Sequence, residues 1–234
     1  MIDFATRSYK KEYLDDPEIP FEEIVVNMRE LNFINKWLGG HSVSINGFKQ
    51  LLGKKKQISI CEIGCGGGDN LKAIYGFCKK KNLQISLTGI DIKPECIVLA
   101  KKNIDVENAT FLIADYRKVH FQETPDIIFS SLFCHHFTDE ELIEMLQWMQ
   151  ENSVTGFFIN DLHRHVLAYN FIKVTTRLFS KSYLVKNDAP LSVLRGFRKK
   201  EWQKIFDQAK INNYSIRWRW GFRFLIVSPK YTQH

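Results

Sequence analysis

Ile58-Ser59-Ile60-Cys61-Glu62-Ile63-Gly64-Cys65-Gly66-Gly67-Gly68-Asp69-Asn70-Leu71 reads as an apolar strand that breaks into a glycine loop and restarts as a helix, with Asp69 as the expected N-cap. Glycines at 64, 66, 67 and 68 permit positive φ and carry no side chains. A ligand can therefore lie against the backbone at the start of the helix. A dinucleotide site would place its third glycine where Asp69 stands, so that a pyrophosphate meets free N–H groups. A carboxylate there, with Glu62 upstream, repels a diphosphate and suits a cationic ligand.

The following strand, Leu87-Thr88-Gly89-Ile90-Asp91, ends in a carboxylate roughly two dozen residues after the loop, where an acid accepts from ribose hydroxyls. Lys93-Pro94-Glu95 then opens a helix, with proline in the first turn, where a missing N–H costs least. A third strand, Ala109-Thr110-Phe111-Leu112-Ile113-Ala114-Asp115-Tyr116, again closes on an acid. An acidic strand end before Gly-x-Gly-x-Gly, followed by Asp91 and Asp115 at βαβ spacing, resembles the class I S-adenosylmethionine (SAM) dependent methyltransferases, whose cofactor carries an amino group and a sulfonium. The resemblance implies SAM as cofactor and a cofactor face of Glu62, Gly64, Gly66, Gly68, Asp91, Ile92, Asp115, Tyr116 and Ser131, with Asp115 toward the adenine amino group.

At 234 residues the chain is long enough for one α/β domain with decoration and a proper core. Its 44% hydrophobic and 25% charged content is that of an ordinary globular protein, and no apolar run reaches the ~18 residues of a spanning helix. The stretch Met1 to Arg7 has no basic segment followed by an apolar one, so a cytoplasmic location is expected. Five cysteines, at 61, 65, 78, 96 and 134, form no Cys-x-x-Cys pair. Neither a disulfide framework nor a structural metal is expected. The net charge of +7 favours anionic partners, although Lys54-Lys55-Lys56, Lys79-Lys80-Lys81 and Arg198-Lys199-Lys200 also suit helix ends and loops.

Before the glycine strand, residues 1–52 read as a helical N-terminal cap, and residues 53–234 as the SAM-binding core. From Pro20 to Leu38, apolar Phe21, Ile24, Val25, Met28, Leu31, Ile34 and Leu38 recur at helical steps; Gly39-Gly40 ends that helix, and His41 to Leu52 makes a second. Strands near 83–91, 109–115, 126–132 and 155–161 alternate with helices near 94–104 and 138–151. That alternation implies a Rossmann-like, doubly wound, mainly parallel sheet. Residues 162–197 are too long for a simple connection and read as a helical lid, with Leu167, Phe171, Val174 and Leu178 on one face. A helix over 198–210 and strands 214–219 and 222–228, joined through Gly221, complete an antiparallel hairpin.

Candidate chemistry lies at two strand ends. The fourth strand runs through Ser130-Ser131-Leu132 into Phe133-Cys134-His135-His136-Phe137-Thr138. Ligands of such sheets sit beyond the carboxyl ends of the strands, so this end faces the transferable methyl. Nucleic-acid amino-methyltransferases carry Asp/Asn-Pro-Pro-aromatic there; Ser-Ser-Leu-Phe departs from that, which makes nucleic acid an unfavoured substrate. The paired histidines instead resemble the ubiquinone/menaquinone-type small-molecule methyltransferases, with Thr138 and Glu141 as a capping box. The fifth strand ends Asn160-Asp161-Leu162-His163-Arg164-His165, where Asp161 with His163 or His165 would form a carboxylate-oriented imidazole able to act as general base.

The expected catalytic residues are accordingly His136, Asp161 and His163. His135, His165, Tyr169, Arg195, Trp37 and His41 are expected around the acceptor. Leu14-Asp15-Asp16-Pro17, Ile34 to His41, Ala168-Tyr169 and Leu194-Arg195-Gly196-Phe197 extend the resemblance to a bacterial branch of small-molecule methyltransferases. Methyl transfer to oxygen of a phenolic or carboxylic compound by a monomer or homodimer is the expected function. An RNA or protein methyltransferase and a non-catalytic SAM-binding partner protein stand as alternatives. In Arg217-Trp218-Arg219-Trp220, period two separates the arginines from the tryptophans, which argues against a nucleic-acid face.

Overall fold

The computed structural model describes residues 2–15 and 18–230. Met1, Asp16 and Pro17, the last two in the motif quoted above, lie outside the described residues, as do residues 231–234. Seven strands form one sheet: β1 (Gln57–Ile63), β2 (Gln84–Asp91), β3 (Ala109–Ile113), β4 (Ile127–Ser131), β5 (Gly156–Leu162), β6 (Ser215–Arg219) and β7 (Arg223–Pro229), in the order β3-β2-β1-β4-β5-β7-β6. Strands β1 to β5 pair in parallel, and β7 runs antiparallel to both β5 and β6. The order reverses between β1 and β4, which opens a crevice beyond their carboxyl ends.

Alternation along β1 shows how the sheet makes a three-layer domain. Ile58 and Ile60 join one core cluster with α2 (Gly40–Leu52), α3 (Asp69–Lys80) and α4 (Pro94–Asn103). Cys61 and Ile63 face the other, with α5 (Asp139–Glu151) and α8 (Lys199–Gln208). Phe48, Val43 and Leu51 place α2 inside the first cluster, so this helix, assigned above to the N-terminal cap, is built into the core layer. Truncating Phe48 to alanine would cost about 3–5 kcal/mol. Thr138 caps α5 with Glu141 in the expected capping box.

Several local readings are corrected. The cap of α3 is Gly68, at φ +76, and Asp69 is the first helical residue; its carboxylate makes no cap bond, because the left-handed turn is the glycine's. The 162–197 segment, read as a helical lid, holds two helices, α6 (Val166–Phe179) and α7 (Tyr183–Arg195). α6 buries Ala168, Ile172 and Thr176, while Leu167, Phe171, Val174 and Leu178 stay exposed. Lys199 and Lys200 open α8, the end where the helix dipole disfavours cations, and Glu201 offsets them by accepting from the Arg198 N–H. Trp220 lies in the turn beyond β6, so it does not share the strand alternation with Trp218.

Around the sheet's carboxyl edge, α1 (Phe21–Trp37) and residues 3–14, irregular up to a 3₁₀ turn that starts at Tyr13, form a strap. Three buried arginines from separate parts of the chain hold it. Arg164 donates to the carbonyls of Phe4 and Ala5, Arg195 to that of Lys10, and Arg7 donates outward to Asp139 and the carbonyls of Phe137 and Arg195. The N–H groups of Tyr13 and Leu14 donate to the buried carboxylate of Asp188 at 2.8 and 2.9 Å. A guanidinium saturated with carbonyl acceptors is a satisfied buried cation, so breaking one such clamp is costly.

Candidate active site

The glycine loop is tightly enclosed. Gly64 has φ +65, and a Cβ on it would stand 2.2 Å from the Phe133 ring. On the opposite side the Met28 methyl of α1 packs on Gly66. Asp91 braces the loop: one oxygen accepts from the Gly66 N–H and the other from the Lys93 N–H, both at 2.9 Å. Burial raises its pKa against these stabilising bonds.

Glu62 is buried at the strand end, with Oε1 accepting from Asn70 Nδ2 at 3.3 Å and Oε2 left without a hydrogen-bond partner. Burial, then the negative charges of Asp69 and Asp91, push its carboxyl well above the usual range. An unpaired buried carboxylate oxygen beside further acids fits a cationic group and not a phosphate. A polar chain supports it from below: Asn70 accepts from Ser44, and Asn160 Nδ2 donates to Ser44, Ser131 and the Gly40 carbonyl.

On the adenosine side, Ile92 is exposed past the end of β2, where a flat ring can cover it. Asp115 caps a short turn and pairs with Arg117, whose guanidinium holds its carboxyl low. The Tyr116 side chain packs edge-on against Trp148 and Phe137 in the core, which leaves its backbone as the part able to meet a cofactor. Beside the loop, Met28, Arg29, His41, Asp69 and Lys72 help line a cavity of about 390 Å³. Burial pushes Asp69 up to about 6 and lowers His41.

The acceptor side differs from the pairing expected from sequence. Leu132 leaves β4 with φ +54, uncommon for a leucine, and the chain turns at once into a short 3₁₀ segment, Cys134–His136. That turn brings His135, and neither His163 nor His165, to Asp161. His135 Nδ1 lies 2.8 Å from Asp161 Oδ1, and the His135 backbone N–H donates to Oδ2. Burial opposes the charge on Asp161, but the His135 interaction and the Leu162 N–H outweigh it and hold the carboxyl below its usual range. His135 therefore donates from Nδ1 and keeps Nε2 as its acceptor, inside the fold.

His163 instead packs against Phe224, has its Nδ1 buried without a partner, and is pushed down to about 4 by burial. His165 caps α6 by accepting from the Leu167 N–H.

The strap adds a residue that the sequence reading missed. Glu12 places its carboxylate oxygens 3.9 Å from His135 Nε2 and 3.9 Å from His136 Nε2, and it accepts from Ser192 Oγ at 2.7 Å. Burial raises its carboxyl while His136 and Arg195 draw it back. These three donor groups lie within 4.8 Å of one another, close enough to share a metal ion. Nothing in Lys10-Lys11-Glu12-Tyr13 marks the position.

Arg195, expected to bind an anion, spends its guanidinium on the carbonyls of His135, His136 and Lys10. Tyr169 stands edge-on to Phe4 of the strap. Trp37 is exposed at the outer end of α1.

Comparison with known proteins bears on the domain and the fold. Residues 60–153 match the family model described as a methyltransferase domain. The fold is shared with the plantazolicin methyltransferase BpumL solved with S-adenosylhomocysteine (SAH), at 20% identity over 92% of each chain and a TM-score of 0.66. It is also shared with human N-acetylserotonin methyltransferase solved with SAM, at 17% identity over 94% of this chain and 63% of that one, TM-score 0.56. The plantazolicin methyltransferase BamL, solved with SAH and a substrate analogue, matches at 18% identity over 84% of this chain and 77% of that one, TM-score 0.58. No curated protein matches the sequence significantly. The match to a methyltransferase domain over residues 60–153 and the doubly wound fold shared with these structures support a SAM-dependent methyltransferase. Among the described residues no helix is long and apolar enough to cross a membrane.

Proposed function

We propose that the chain transfers the SAM methyl group to an oxygen of a phenolic or carboxylic small molecule, in the manner of the ubiquinone-type enzymes it resembles. In this reading Glu62 receives the amino group of SAM, Asp91 the ribose hydroxyls and Asp115 the adenine amino group, with Ile92 beneath the ring. The sulfonium is already an activated donor, so alignment of methyl and nucleophile at ~3–3.5 Å is the principal requirement. A neutral phenol also needs a proton acceptor, worth roughly 10²–10⁴-fold.

The observation that carries the reading is the paired carboxylate–imidazole arrangement at the ends of β4 and β5, Asp161 on His135 and Glu12 on His136. His136 is the more exposed of the two rings and is assigned as the base; Glu12 stabilises the imidazolium that forms, and Asp161 fixes the His135 ring beside it. Turnover with labelled SAM on a panel of phenols and carboxylic acids, with the methylated atom located by NMR, tests this. His136→Gln should lower kcat on a phenol by at least ~10²-fold at neutral pH with SAH affinity unchanged. Methylation of nitrogen or carbon, or a variant as active as the parent, rejects the assignment.

A further inference from the structure

We propose that the outer face of α6, together with the β6–β7 turn, docks on an anionic lipid surface. α6 has two apolar faces, and the fold uses one. Ala168 and Ile172 pack with Val193, Ile34 and Leu38. The second stripe, Leu167, Phe171, Val174 and Leu178 at steps of four, three and four, is between 46% and 69% exposed. Phe179 extends it at the helix end. Sustained solvent exposure of so many large apolar groups on one helix marks a contact surface.

Charge identifies what the surface meets. From Leu162 to Asn187 the chain contains Arg164, Lys173, Arg177, Lys181 and Lys186 and no acidic residue. Lys173, Arg177, Lys181 and Lys186 are exposed. Glu30 of α1, near the end of this helix, is occupied by Ser180 Oγ and the Lys181 N–H. Arg177 flanks the stripe and Lys181 follows the helix end, while Lys173 sits over the Tyr169 ring farther round the helix; an apolar stripe with cations beside it is the pattern of a helix lying in a bilayer interface.

Aromatic residues continue the face. His165, the cap of α6, stacks on Phe222 at 5.2 Å; Phe222 meets Trp218 edge-on at 6.2 Å. Trp220 lies over Gly39, two residues from Trp37, and both indoles are 72% exposed. Exposed tryptophan beside cations suits the headgroup level of a membrane. A second copy of the chain would bring these cations toward one another with no acid from the same stretch of α6 to receive them, and a nucleic acid would leave the leucine and valine stripe unsatisfied.

α6 follows β5 directly, so the docked helix begins at the strand end that carries Asp161. The proposal does not depend on which atom is methylated. The test is co-sedimentation of the full chain with phosphatidylcholine vesicles and with vesicles containing phosphatidylglycerol. Binding to the anionic vesicles should be at least ~10-fold tighter and should weaken with salt. The triple variant Leu167→Gln, Phe171→Gln and Leu178→Gln, and separately Lys173→Glu with Arg177→Glu, should each lose vesicle binding by ~10-fold or more with SAH affinity unchanged, which shows the site intact. Absence of vesicle binding, binding that both variants retain, or a dimer that the triple variant abolishes in lipid-free solution overturns the proposal.

Discussion

His135 and Asp161, 26 positions apart, meet at 2.8 Å and tie the turn after β4 to the end of β5. The contact sets the tautomer of one imidazole, holds the neighbouring His136 at the mouth of the crevice, and leaves the carboxylate charged despite complete burial. Asp161→Asn keeps the volume and removes the charge. It should lower turnover by ~10²-fold while SAH affinity changes less than ~3-fold, and destabilise the fold by about 1–3 kcal/mol. Single-turnover kinetics and denaturant titration separate the two effects.

Glu62 enters binding with a raised pKa, caused first by burial and then by Asp69 and Asp91. A cationic ligand favours the ionised form, so SAM binding near neutral pH should release part of a proton. Calorimetry in two buffers of different ionisation enthalpy reads that release. Glu62→Gln should abolish it and weaken SAM and SAH alike by at least ~10-fold, since both carry the amino group, through loss of a charge-assisted contact of about 1.5–3 kcal/mol. Equal proton release by parent and variant would show another group titrating.

Gly64→Ala combines a left-handed backbone with a Cβ pressed into Phe133. The backbone alone costs about 1–2 kcal/mol, and the displaced ring should weaken SAH at least ~10-fold. Gly76→Ala, in α3 with nothing within 4 Å of the added atom, should instead stabilise by about 0.5–1 kcal/mol. Thermal melts with and without SAH compare the pair.

Two half-buried groups tilt the stability curve in opposite senses. Asp69, raised from 3.8 to about 6, favours the folded state most when protonated; its contribution is complete below pH ~4 and disappears as pH rises through 6. His163, lowered from 6.5 to about 4, contributes fully above pH 6.5 and loses that contribution as pH falls through 4. Asp69→Asn should therefore gain on the parent by ~1–2 kcal/mol, after solvent screening, between pH 4 and 7. His163→Phe should gain on the parent as pH falls over the same range. Parallel melts at several pH values would expose a reversal of either sign.

The fold was legible because its signals are local. Alternating apolar strands, the glycines at 64 to 68, Pro94 in a first turn and the Thr138–Glu141 box each act within a few residues, and they place the cofactor crevice before any tertiary contact is known. Strand-end acids at 62, 91 and 115 were legible for the same reason and suit a cationic ligand. Which histidine would meet Asp161 was not local: it depends on a left-handed Leu132 that folds His135 back over β5, so proximity in sequence wrongly favoured His163 and His165. Glu12 is brought to the two histidines only because Arg164 and Arg195, distant in sequence, clamp the strap by its carbonyls while Arg7 anchors it outward, and Arg195 is consumed in that clamp. The exposed stripe of α6 has the same origin. Helical periodicity marks a face as apolar, while only the packing of the neighbouring helices decides which apolar face is covered.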